Sequence, residues 1–368
     1  MTRTIGTSAT AAAVALFSFF PSAAATRASV PPPLVVHEWG TITTHHAPDG
    51  TPQGRLNRVG FIEPLADFVH QYEPPGTERR RVAPLTKAAT GDGRPDITMR
   101  LETPVIYFHP ARGAPLPAPF DVSVSFRGGV LNEFYPNALA SVHGWDGAKL
   151  SESVESSLIW KGVTLREHAA LQSTTSRVWL APRAVASTPV VAPDGEVEQY
   201  LFYRGMANLP AVLETELTDH DLILRAPAHS PWLTAPSAPL GAVWVVDIRP
   251  DRSAAFRATD AMTLSRGDGG HVLTRVPVFN GREYSPAALS KLRESMHAAL
   301  VARGLYADEA TAMLETWKES YFGTPGLRVF YVVPDAWTSY YLPLSISTPH
   351  TLTRVIVGRI DIDMAAEP

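Results

Sequence analysis

Hydrophobic positions along this chain fall mostly into short alternating or continuous runs, and those runs predict strands. The run Leu34–His46 (LVVHEWGTITTHH) holds enough Val, Ile and Thr to favour a strand over a helix. Alternation then places Val35, His37, Trp39, Thr41, Thr43 and His45 on one face and Val36, Glu38, Ile42 and His46 on the other. Ile97–Pro110 (ITMRLETPVIYFHP) predicts a second strand, apolar on both faces over Val105–Phe108, with Pro104 marking an edge, a bulge or a break. In Phe120–Arg127 the apolar Phe120, Val122, Val124 and Phe126 alternate with polar residues, so one face is buried. Gly128-Gly129 then predicts a two-residue hairpin turn that returns through Val130–Tyr135. In that register Val124 faces Glu133, and Glu133 turns onto the apolar face, where an unpaired carboxylate is costly. A loop one residue longer sends Glu133 to solvent and Asn132 inward.

Further strands are predicted at Leu158–Leu165, Arg177–Leu180, Glu198–Arg204, Ala211–Leu217, Asp221–Ala226, Ala242–Ile248, Ala254–Ala258 and His271–Val278. Their close spacing is that of an antiparallel sandwich or meander. The period then changes. Ser285 and Pro286 open a helix with Leu289, Leu292, Met296 and Leu300 on one stripe, ending at Gly304. A second helix is predicted over Asp308–Phe322, with Met313, Leu314, Trp317 and Tyr321 facing a core and no cofactor-binding pattern. Leu327–Val333 and Thr353–Ile362 predict strands, and Asp335–Tyr341 a turn or short helix. The expected fold is mainly β (α+β): antiparallel, sandwich-like sheets with a C-terminal helical hairpin packed on them. The Pro-, Ala- and Ser-rich stretch Ala181–Gly195 is the expected boundary between a β-rich domain at 34–190 and a second region at 191–368.

Composition sharpens this picture. The 33 prolines and 25 glycines among 368 residues suit a turn-rich β protein, and the net charge of −4 is spread without a basic patch for nucleic acid. There is no cysteine, which excludes disulfides, thiolate metal sites and Cys nucleophiles. At the N-terminus, Arg3, the apolar Ala9–Phe20 and the small residues Ala23-Ala24-Ala25 predict a secretory signal peptide cleaved after Ala25. The expected destination is therefore secreted or periplasmic, with Thr26–Pro33 as a Pro-rich linker and no transmembrane segment after cleavage.

The sequence holds no G-x-S-x-G elbow, H-E-x-x-H helix, P-loop or dinucleotide fingerprint. What remains is a set of His and Glu residues in the first half. His37 and His45 lie roughly 26 Å apart in a straight strand, so the opening segment cannot chelate an ion alone. A site assembled from several strands takes His37, His109 and His143 as ligands of a divalent metal, with Glu38 and Glu133 beside them. The competing assignment makes Glu38 and Glu133 a carboxylate pair for glycoside cleavage, with His37 as their catalytic neighbour. Glu102 flanks the same buried strand as His109, and Arg204 ends an apolar strand where it suits an anion. The plainer alternative has His37 and Glu38 as hydrogen-bonded structural residues around a core Trp39. Two functions follow: an exported hydrolase dependent on metal or carboxylates, or a non-catalytic extracytoplasmic protein whose Trp and Tyr residues hold a small molecule, glycan or protein.

The segments HEWGT (His37–Thr41), ETPVIYFH (Glu102–His109), FYRG (Phe202–Gly205), Thr316-Trp317 and RVIVGRI (Arg354–Ile360) together resemble a group of uncharacterised predicted secreted bacterial proteins. The resemblance spans nearly the whole mature chain. It implies export and a single co-inherited unit, and it carries over no catalytic residue.

Overall fold

The computed structural model describes residues 1–2, 34–56, 65–72, 94–145 and 149–363. In chain order the first strands are β1 (Leu34–His46), β2 (His70–Gln71), β3 (Met99–Pro110), β4 (Phe120–Arg127), β5 (Gly129–Tyr135), β6 (Leu139–His143) and β7 (Glu155–Leu165). Helix α1 (Arg177–Arg183) precedes β8 (Val190–Val191), β9 (Val197–Glu198), β10 (Leu201–Ala207), β11 (Glu214–Leu217) and β12 (Asp221–Arg225). Next come β13 (Ser237–Leu240), β14 (Val243–Ile248), β15 (Ala254–Ala258), β16 (Met262–Ser265) and β17 (Val272–Pro277). Helices α2 (Ala288–Ala302) and α3 (Ala307–Thr316) follow, and a π-helical turn at Glu319–Gly323. The chain closes with β18 (Gly326–Val332), α4 (Asp335–Tyr341), β19 (Leu344–Ile346) and β20 (Thr351–Ile362).

Among the described residues nine strands form the main sheet, in the order β15-β14-β18-β20-β1-β3-β10-β5-β2. A second sheet runs β19-β4-β7-β8-β9 with β6 also on β7, and two small sheets join β11-β12-β17 and β13-β16. The molecule is mainly β and antiparallel, with a few helices, as its patterning leads one to expect. The central pair is an exception: β1 runs parallel to β20 and antiparallel to β3.

Strand β1 is buried on both faces, and this decides where its ionisable groups go. On one face Val36 and Ile42, with Ile106, Phe108 and Leu201, pack toward Val122, Val124 and Trp160 of the second sheet. On the other face Trp39, Val105, Tyr107 and Phe202 pack against Leu292, Met296, Met313 and Leu314 of the helices. Each such apolar side chain is worth about 1.5–3 kcal/mol when fully buried. Alternation therefore carries His37 beneath the helices with Trp39, and Glu38 between the sheets with Val36.

Three expectations need correction. The hairpin across Gly128-Gly129 does not form, because β4 pairs with β7 and β19 while β5 pairs with β10 and β2. The two glycines turn a corner between sheets instead. Gly128 sits at φ +77°, and a Cβ there would lie 2.4 Å from the Leu209 side chain; one on Gly129 would lie 2.4 Å from the Phe126 ring. Alternation in β4 was a sound sign of one buried face, but a hairpin strand and a sandwich strand share that sign.

Arg177–Leu180 is the start of helix α1, not a strand. Trp179 on that helix is buried, packs on Tyr200 and Phe202, and donates its Nε1–H to Glu198 at 2.7 Å. Tertiary contacts have overridden the local β propensity.

The stretch at 181–195 does not divide the chain. Strands from both sides of it, β1, β3 and β5 with β10, β14, β18 and β20, share the main sheet. Pro32–Pro368 forms one compact unit. The signal peptide and linker expectations fall in 3–33, outside the described residues. Among the described residues no helix is long and apolar enough to cross a membrane.

Candidate metal centre

Strands β1 and β3 bring two imidazoles together. In their antiparallel register Val35 faces His109 and His37 faces Tyr107, so His37 and His109 are diagonal neighbours on the helix-covered face. Their ring centroids lie 5.3 Å apart. Helix α3 supplies the third group, Glu309, from its first turn. His37 Nδ1 donates to Glu309 Oε2 at 2.7 Å and His109 Nε2 donates to Oε1 at 2.9 Å. The Tyr306 backbone N–H also donates to Oε2, at 2.7 Å. An acid three residues into a helix meets a backbone N–H that the helix leaves free, and it sits well in the helix dipole. One carboxylate thus caps α3 and ties it to two strands.

Glu309 has no exposed surface and His37 almost none. Burial works against the charged carboxylate, but the hydrogen bonds from His109, His37 and Tyr306 outweigh it and hold the group below the usual carboxylate range. The Tyr306 ring lies over the site, with centroids 4.6 Å from His37 and 4.8 Å from His109, and is itself 44% exposed. The centre is one aromatic side chain away from solvent.

The three ligand atoms, two imidazole nitrogens and a carboxylate oxygen, lie within 4.8 Å of one another. A tetrahedral ion with bonds of about 2.0–2.1 Å spaces its ligand atoms by about 3.3 Å. Metal entry there would replace the protons that the two imidazoles share with Glu309. The set has the composition of a His2Glu site with one position left open.

The other expected site residues lie elsewhere. Glu38 has no exposed surface and is held between the sheets, where the Tyr203 hydroxyl donates to its Oε1 and Arg354 Nε to its Oε2, both at 2.5 Å. Burial and the Glu38 charge raise Tyr203 well above its ordinary range, so the phenol remains a donor. Glu133 is inward, 5% exposed, but through pairing with β10 and not through a hairpin; its partner is Arg204, at 3.7 Å. Arg204 is spent on Glu133 and on Thr103 Oγ1, so it offers no open anion site. Glu102 meets Arg100 at 3.0 Å and Thr43 at 3.3 Å. His143 is exposed at the end of β6, opposite Glu155, and does not join the metal group. Thus His37, Glu38 and Glu133 are each held by a different set of partners.

Glu309 was missed from sequence because an acid in a first helical turn reads as a solvated cap. Nothing local says that its carboxylate turns into the sheet. A cavity of about 620 Å³ lies on the neighbouring face of α3, walled by Arg177, Leu180, Asp308, Thr311 and Glu315, and none of the three ligands lines it.

No protein-family model matches the chain, and no curated protein matches it. Among solved structures the chain is similar to the Fcho1 Mu homology domain of Danio rerio with bound Eps15 peptide. Identity is 10% and the TM-score 0.30, over 91% of this chain and 98% of that one.

Proposed function

We propose that this is an exported metalloprotein, a divalent-metal-dependent hydrolase in which His37, His109 and Glu309 hold the ion. The observation that carries the reading is the meeting of two imidazoles and one buried carboxylate from β1, β3 and α3. Three protein ligands leave a fourth position for water, and a metal-bound water ionises near pH 7, which supplies a nucleophile in a chain without cysteine. Tyr306 covers the exposed side, so substrate reaches the centre past that ring.

A second reading has its own support. Glu309 is fully hydrogen-bonded by protein donors and has no exposed surface, as a purely structural bridge would be. The chain is then a non-catalytic extracytoplasmic protein that holds a glycan or protein partner. The two separate by assay of the mature protein against ester, phosphoester and peptide substrates, before and after chelation. The hydrolase reading expects turnover lost on chelation, restored by Zn²⁺ or Mn²⁺, and absent in His109→Ala. Turnover that ignores both chelator and His109 overturns the metal centre as the source of activity, and no turnover on any class favours the second.

A further inference from the structure

A cavity of about 430 Å³ lies between one end of the main sheet and the small sheet β11-β12-β17. Val245 and Asp247 of β14 line it with Leu327 of β18, and Leu222 of β12 and Val276 of β17 face them. Phe279 and Tyr284, from the segment between β17 and α2, add two rings to the lining. Asp247 is the informative residue. In the pleat it shares a face with Val243 and Val245, which belong to the buried core, and it stands opposite Leu327 in the β14–β18 register. A carboxylate on so apolar a face needs donors. The Tyr284 hydroxyl is one, donating to Oδ2 at 2.5 Å. Oδ1 has no hydrogen-bond partner among the described residues, and no basic residue among them lines the cavity. Arg249 and Arg257 stack on the Tyr284 and Phe279 rings, 3.4 and 4.3 Å from the centroids, without lining it.

We infer that this cavity binds a small organic cation, an ammonium group carried on an apolar body. Its volume is that of a small-molecule site, and such sites combine apolar walls with a few placed polar groups. Leu217, Phe279 and Leu327 on the lining are only partly buried and Val278 is 46% exposed, so an apolar body gains by covering them. Charge selects the head group. Asp247 and the exposed Asp219 are the charged residues of the lining, and both are acids. Burial and the bond to Asp247 raise the Tyr284 phenol to about 12, so the phenol keeps its proton and the negative charge stays on Asp247. An ammonium then donates to Oδ1 while Tyr284 holds Oδ2. An anionic head would meet like charge with no basic group to offset it. His37, His109 and Glu309 do not line this cavity, so the inference stands apart from the metal centre.

The test is calorimetric titration of the protein, at neutral pH and fixed ionic strength, with three probes of one shape: phenylbutylamine, phenylbutanol and phenylbutanoate. Saturable binding of the amine, at least about tenfold tighter than that of the alcohol and with the acid weakest, supports the inference. Asp247→Asn keeps an acceptor for Tyr284 and removes the charge, and it should bring the amine to within about threefold of the alcohol. Val278→Lys places a like charge on the exposed part of the lining and should weaken the amine at least about fivefold, with melting curves showing that each variant is folded. No saturable binding of the amine at about 10 mM, an alcohol or acid that binds as tightly as the amine, or an amine affinity unchanged in either variant overturns it.

Discussion

His37 Nδ1 lies 2.7 Å from Glu309 Oε2, although 272 positions separate the two residues. That contact joins the first strand of the described fold to a helix near its end, and both of its side chains are buried. Removing one partner leaves the other buried and unmet. Glu309→Ala strands two imidazoles and the Tyr306 N–H, and should lower stability by about 3 kcal/mol in denaturant titration. Glu309→Gln keeps one acceptor oxygen and should cost markedly less. Equal stability of Glu309→Ala and the parent protein is the outcome that contradicts the bridge.

The Tyr203–Glu38–Arg354 group makes a second buried connection, between β10, β1 and β20. Glu38→Ala leaves a buried guanidinium without its counter-charge and should cost about 3–5 kcal/mol. Tyr203→Phe removes one donor and should cost about 1–2 kcal/mol. If both variants melt with the parent protein, the group is not the structural tie described.

His46 gives the fold a pH dependence. It is 2% exposed, its Nδ1 lies 2.8 Å from Thr215 Oγ1, and its Nε2 has no partner. Burial, helped by the neighbouring His45, lowers its pKa to about 4 from 6.5. The unfolded chain thus takes up this proton first as pH falls, so the stabilisation present above about pH 6.5 is lost progressively toward pH 4. Between pH 7 and pH 5 the loss amounts to about 2 kcal/mol. Denaturation midpoints measured across that range should fall in the parent protein and fall less in His46→Gln. Parallel pH profiles for the two would contradict the assignment.

The corner at Gly128-Gly129 is equally specific. Gly128→Ala forces a side chain into a left-handed backbone and against Leu209. It should cost about 2–4 kcal/mol, from conformational strain and overpacking together. A hairpin turn at the surface would accept Asn at the first position, so Gly128→Asn with unchanged stability would argue against the corner.

Much of this fold could be read from alternation, and the limits have physical causes. The opening strand, the two helical stripes and the last strands announced themselves through their periods. The division of β1 between a His37 face and a Glu38 face followed from the pleat. Alternation does not say which strand lies alongside, and so β4 and β5 were paired with each other when each belongs to a different sheet. The site divided in the same way. His37 and His109 stood out as imidazoles beside buried strands, whereas His143 had only its residue type to recommend it. Glu309 could not be found from neighbours in sequence, because its role is set by how α3 docks on the sheet.

The central claim is that His37, His109 and Glu309 hold a divalent ion, and metal stoichiometry tests it most directly. Protein equilibrated with Zn²⁺, passed through a desalting column and analysed by mass spectrometry for metal should retain about one ion per chain. His37→Ala, His109→Ala and Glu309→Gln should each retain less than about a tenth of that while remaining folded by circular dichroism. A parent protein that retains no ion, or variants that retain as much as the parent, would contradict the account.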